Sequence, residues 1–110
     1  MNRKKLFSEV NENMANLFGE KLKKIILYGS YARNKPDKES DIDFLVLVDD
    51  TAENLQKSKY QIAEVMTQLS LSHDILVSIT EESLSRYQHY SDTLPFYRNV
   101  IKDGIAIYGG

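Results

Sequence analysis

A chain of 110 residues with 42% apolar and 27% charged side chains has the makeup of one ordinary globular domain spanning 1–110. Fourteen basic against sixteen acidic residues leave a net charge of −2, which argues against a protein held to nucleic acid or an anionic membrane by bulk charge. Without cysteine there are no disulfides, thiolate metal centres or cysteine nucleophile, and the longest apolar run, Phe44 to Val48, is far short of the ~20 residues of a membrane span. The basic N-terminus lacks an apolar h-region, so it does not read as a signal peptide. A cytoplasmic protein is expected, with no membrane contact and no direct binding of nucleic acid.

Leu6, Val10, Met14, Leu17 and Phe18 follow the spacing of one helical face, and Gly19 ends that helix. Ile25 to Tyr28 reads as a short buried strand stopping at Gly29-Ser30. A loop with Asn34, Pro36 and Asp37 leads to a second strand, Ile42 to Val48. Thr51 is a natural N-cap for a helix burying Leu55, Ile62, Met66 and Leu69. A third strand is expected over Asp74 to Ile79. Helical segments follow near 81–90 and 95–102, the latter with Pro95 in its first turn and Gly104 just past its end. Ile105 to Tyr108 adds a last strand at the sheet edge. The class is α/β, with three or four short strands and helices packed on the sheet.

The chemistry concentrates in Gly29-Ser30-Tyr31-Ala32-Arg33 and in Ser40-Asp41-Ile42-Asp43. Asp41 and Asp43 are two apart on a strand, so their side chains share a face, with Cα atoms roughly 6.6–7 Å apart. Adjacent carboxylates repel, and a hard divalent ion such as Mg²⁺ is the simplest partner, bound through one or two carboxylates plus substrate phosphates. The alternative is a pair of solvated acids at a strand end. Asp74 is the third candidate. Pairing of its strand with that of Asp41 and Asp43 sets it beside them, and three acids suit two metal ions, with Asp74 as ligand or general base. Its bland reading is a turn acid bonded to local amides.

Gly29-Ser30, a glycine closing a strand before a small hydroxyl residue, lets a phosphate approach free backbone N–H groups. The string G-S, ten residues, D-x-D occurs by accident in on the order of one chain per thousand at average composition. No P-loop and no G-x-G-x-x-G fingerprint is present. Arg33 suits either a nucleotide phosphate or a loop acid such as Asp41. Ser40 reads as a loop cap, and His73 as structural. His89 lies in an aromatic patch that suits core or a partner surface.

These residues resemble the minimal nucleotidyltransferases (MNT) of the DNA polymerase β superfamily. Gly29-Ser30-x-Ala32-Arg33, Ser40-Asp41-x-Asp43, Asp74 and the closing Pro95-Phe96-Tyr97-Arg98-Asn99-Val100-Ile101 carry the likeness over nearly the whole chain. The resemblance implies a mixed sheet with flanking helices, Mg²⁺ dependence with two ions, and transfer of a nucleoside monophosphate, with ATP as the expected donor, to a hydroxyl. It implies that Gly29, Ser30 and Arg33 bind the nucleotide and that Asp41, Asp43 and Asp74 are the metal-binding catalytic acids. One departure is Asn34, where relatives often have Gly; Asn tolerates a left-handed backbone, so a similar turn is expected.

The chain has no room for the substrate domain of larger relatives, so the acceptor has to come from a partner or an oligomer. The family implies a helical HEPN-type ribonuclease toxin, AMPylated on a tyrosine by this protein as its antitoxin. Two other readings stand beside it. One is an antitoxin that neutralises its partner by contact alone; the other is a transferase acting on a small hydroxylated molecule.

Overall fold

The computed structural model describes residues 1–34 and 41–109. Helix α1, Arg3–Phe18, is capped by the Asn2 side chain, which accepts from the Lys5 N–H at 3.0 Å. It buries Leu6, Val10 and Met14 and stops at Gly19, whose φ of +55° suits a residue without Cβ. A 3₁₀ turn leads into β1, Leu22–Tyr28. Strand β2, Ile42–Val48, is followed by helices α2, Ala52–Gln56, and α3, Lys59–His73. Strand β3, Val77–Ser83, then leads to α4, Leu84–Tyr90, α5, Pro95–Asp103, and β4, Ile105–Tyr108.

The four strands form one mixed sheet in the order β3-β2-β1-β4. β1 pairs antiparallel with β2 and β4, and β2 runs parallel to β3. A parallel neighbour needs a crossover, which α2 and α3 provide. On one face, Ile25 and Leu27 of β1, Phe44 and Val46 of β2 and Val77 and Ile79 of β3 join Leu6, Val10, Met14, Ile62, Val65 and Leu69 in the larger core. On the other, Ile26, Leu45 and Leu47 pack with Val100 of α5 and, at the margin, Tyr28, Leu84 and Tyr87. Strand β2 is thus buried on both faces, which is why Phe44 to Val48 is continuously apolar instead of alternating.

The α/β class, the leading helix, Pro95 at the start of α5, the end of that helix at Gly104 and the edge strand agree with the sequence reading. Several boundaries differ. The helix capped by Thr51 is two helices, broken at Lys57-Ser58, and Met66 is only half-buried while Val65 takes a core position. β1 begins at Leu22, ahead of a bulge at Lys23.

The third strand begins at Val77 instead of Asp74. Asp74 caps α3 in the left-handed region, φ 52° and ψ 44°, with its N–H donating to the Ser70 carbonyl. Aspartate is among the few residues that enter this region readily, so the helix stops there and the apparent strand alternation at 74–76 is lost. The strand also continues through Glu81, Glu82 and Ser83, which the sequence suggests as helix, because they pair with Val46, Leu47 and Val48. Pairing with a buried neighbour outweighs their low strand propensity.

Phe44 is fully buried in β2 and meets Phe7 of α1 edge to face, with centroids 5.8 Å apart. Phe44→Ala is expected to lower stability by about 3–5 kcal/mol, measured by urea unfolding. A loss below about 1 kcal/mol would mean that this core collapses around the deletion.

Candidate active site at the mouth of the central strands

Where β1 ends, Gly29 takes φ +79° and turns the chain sharply. Its carbonyl accepts from the N–H groups of Ala32 and Arg33 at 3.1 and 3.2 Å, and the Asn34 N–H donates to the Tyr31 carbonyl at 3.3 Å. This single helical turn begins at Ser30, and the leading N–H groups of such a turn have no partner within it. Asn34 closes it at φ +57°, as its tolerance of left-handed geometry predicts.

Across the β1–β2 pair, Tyr28 lies opposite Asp43. A Cβ placed on Gly29 would stand 2.7 Å from Asp43 Oδ2 and 3.6 Å from its Cγ. The carboxylate therefore rests against bare backbone, and both the close approach and the positive φ require glycine. Asp41 precedes β2 by one residue and is exposed, whereas Asp43 is half-buried. The Asp43 carboxyl holds its proton more tightly than an ordinary aspartate, first because burial penalises the charge and then because Asp41 adds a like charge. Burial likewise pushes up the Tyr28 phenol; a hydrogen bond with Thr80 works the other way, and the Asp43 charge adds to the rise.

The acids expected to converge are brought together only in part. Asp41 and Asp43 share the mouth of β2, but Asp74 lies at the end of α3. The residue whose carbonyl accepts from the Ile42 N–H, at 3.0 Å, is Leu76. Opposite Asp43 on β3 stands Ser78. Among the described residues no three His, Cys, Asp or Glu side chains gather closely enough to hold one ion. The geometric case for Asp74 as a third ligand came from the early strand start and falls with it.

Among the described residues Arg33 is not paired with Asp41, and the loop acids Asp37 and Glu39 lie outside them. The Arg33 Nη1 lies 3.9 Å from Asp103 Oδ2 at the end of α5, a half-exposed pair of little strength. Ser40 lies outside the described residues. His73 has the structural role expected of it, Nε2 lying 3.1 Å from Glu9 Oε2 so that α3 is tied to α1. His89 is exposed and stacks edge to face with Tyr90.

Sequence reasoning missed the wall that α5 builds beside the turn. Tyr28, Gly29, Arg33, Phe96, Asn99 and Val100 line a pocket of about 250 Å³. The only signal was the closing segment Pro95 to Ile101, read as a family likeness and not as part of the site.

The donor set fits Mg²⁺. Asp41 and Asp43 together offer hard oxygen ligands, and the like-charge repulsion that, after burial, raises the proton affinity of Asp43 is what a cation relieves. Mg²⁺ takes one or two carboxylates and fills its other positions with water and phosphate oxygens.

Residues 7–107 match the family described as the nucleotidyltransferase domain. The chain belongs to this nucleotidyltransferase family. Two relatives from Methanocaldococcus jannaschii carry the name protein adenylyltransferase. One is 37% identical over 73 residues, covering 66% of this chain and 72% of the relative. The other is 30% identical and covers 98% of this chain and the whole of the relative. Among solved structures, a chain from an MntA toxin–antitoxin complex superposes with a TM-score of 0.62 at 23% identity, covering all of this chain and 75% of that one. A structure of tri-AMPylated Shewanella oneidensis HEPN toxin in complex with MNT antitoxin gives 0.57 at 21% identity, covering 99% and 74%. These two likenesses show that the nucleotidyltransferase has the MNT fold. No helix among its described residues is long and apolar enough to cross a membrane.

Two variants test the site. Gly29→Ala is expected to lose about 1–2 kcal/mol of stability from the left-handed backbone alone, before any displacement of the Asp43 carboxylate, and a melt unchanged from the parent would contradict the geometry. For Asp43 the sign follows from linkage. The folded state binds its proton more tightly than the ordinary value of 3.8, so stability falls as pH rises through and above that value. Asp43→Asn removes the charge, so without divalent cations at pH 7 it should melt at or above the parent temperature. Lowering the pH below 3.8 should erase any advantage. A clearly lower melting temperature at pH 7 would mean that the carboxylate stabilises the fold.

Proposed function

We propose that this nucleotidyltransferase moves the adenylyl group of ATP onto a tyrosine of a helical HEPN-type ribonuclease toxin and so acts as its antitoxin. The observation that carries the reading is the contact between the bare backbone of Gly29 and the Asp43 carboxylate, with Asp41 beside it. It sets a phosphate-accepting turn against a paired-acid site, which is the pairing that nucleotidyl transfer needs. The names of the two archaeal relatives and the toxin–antitoxin complexes with the same fold support the direction of the proposal. A neighbouring structure of this kind with AMP-PNP supports a nucleoside triphosphate as donor.

In this reading Gly29 and Ser30 receive the triphosphate, because a helical turn starting there offers N–H groups and no side-chain obstruction at Gly29. Arg33, at the end of the same turn, adds positive charge beside the phosphates. Asp41 and Asp43 hold Mg²⁺; two ions are proposed, their other ligands coming from the triphosphate and water. When bound, Mg²⁺ offsets the negative charge of the triphosphate and of the departing pyrophosphate. The acceptor phenol oxygen forms a bond to the α-phosphorus and gives its proton to solvent water at the open side of the site, while the bond from the α-phosphorus to pyrophosphate breaks and pyrophosphate leaves. Burial of Asp43 against Gly29 fixes one carboxylate in place, whereas Asp41 is exposed on the open side where an acceptor arrives. Asp74 has only its helix-capping position in this scheme. Residues 1–110 act as one transferase domain, and the cytoplasm, where ATP and Mg²⁺ are found, is the proposed compartment.

Intact mass spectrometry of a HEPN-type partner incubated with the protein, Mg²⁺ and each nucleoside triphosphate tests the reading. The expected result is a gain of one or more adenylyl units with ATP, abolished by the double substitution Asp41→Asn/Asp43→Asn. A stable complex with no mass gain would replace the proposal with neutralisation by contact.

A further inference from the structure

We infer that the pocket between the Gly29 turn and α5 seats the nucleobase of the donor, stacked on Phe96 with its hydrogen-bonding edge read by Asn99. The inference rests on the proposed transferase reading and deepens it. Gly29 belongs to both: the Asp43 carboxylate rests against it, and it lines the pocket. A nucleotide whose phosphates lie on the Gly29-Ser30 turn is therefore tethered beside the opening. The volume of about 250 Å³ corresponds to roughly eight water molecules at ~30 Å³ each, a size that suits a ring system of about ten heavy atoms.

The lining has the chemistry of a base site. Phe96 is 40% exposed although it is a large apolar ring, and it leans on Tyr28 with centroids 5.3 Å apart. Bases are held by stacking on such aromatic rings and by hydrogen bonds to their edges. Asn99 carries one donor and one acceptor on a single carboxamide, the pair that matches the adjoining amino group and ring nitrogen of adenine. Val100, only 2% exposed, closes the floor, and Arg33 completes the lining.

Calorimetric titration with Mg·ATP and with Mg·tripolyphosphate, which lacks base and sugar, separates the base seat from the phosphate site. Phe96→Ala is expected to weaken ATP roughly ten-fold and leave tripolyphosphate unchanged, while Phe96→Tyr keeps the parent affinity for both. Asn99→Ala, at an exposed helix position, is expected to weaken ATP several-fold with tripolyphosphate again unchanged, and it carries the test if Phe96→Ala does not fold. Unchanged ATP binding in the alanine variants, or equal losses for both ligands, overturns the base seat alone. If the parent protein binds neither ligand, the transferase reading falls and the base seat with it.

Discussion

Gly29 and Asp43 meet across the antiparallel β1–β2 pair, and the rest of the site is arranged around that contact. A carboxylate lying against a strand-ending backbone demands a residue without Cβ, and the same residue supplies the positive φ that turns the chain into the helical turn at Ser30. One glycine thereby meets two requirements, close approach and reversal of direction. The cost of holding the Asp43 charge partly out of water, next to Asp41, is an unfavourable term in the free protein. That term is the natural complement of a cation, so local instability and proposed activity share one origin.

Such a term needs a rigid support. Strand β2 provides it, because both of its faces are covered, by α1 and α3 on one side and by α5 with α4 on the other. Its neighbours pair with it along most of its length, β1 antiparallel and β3 parallel. The apolar run that anchors the strand starts at the residue after Asp43, so the acids sit at the boundary between a dry sheet and its open mouth.

The second face of the sheet is where fold and site merge. Asp43 shares its face with Tyr28 and with Leu45 and Leu47, and α5 covers that face with Val100 buried and Phe96 left partly open. Tyr97, next along α5, is buried and donates to Glu82 at 2.6 Å; burial and the neighbouring carboxylate push its phenol up to about 12. That hydrogen bond fastens α5 to the far part of β3. Gly104, at the end of α5, adds a tight approach to Ile26, 2.6 Å from where its Cβ would stand. The helix is thus fixed at several points, and the pocket beside Gly29 follows from where it is held.

Much of this was legible in the chain itself. Local rules placed the Asn34 turn at left-handed geometry, started α5 at Pro95, ended α1 at Gly19 and put Asp41 and Asp43 at the mouth of a buried strand, because each depends on backbone sterics or on an apolar run. Asp74 was misplaced because Asp74 to Ile79 alternates like a strand, while the competing option, a left-handed helix cap, leaves almost no mark in a sequence. Glu81 to Ser83 were misread because only pairing with β2 makes them a strand. What the sequence by itself determined is the Gly-Ser turn, the acid pair and the α/β class, all products of short-range stereochemistry and hydrophobic pattern. The tertiary structure alone decided that Ser78, not Asp74, faces Asp43 and that α5 walls a pocket beside Gly29. The parallel pairing of β2 with β3 across two helices and the seating of α5 depend on contacts between residues distant in the chain, which short-range stereochemistry does not fix.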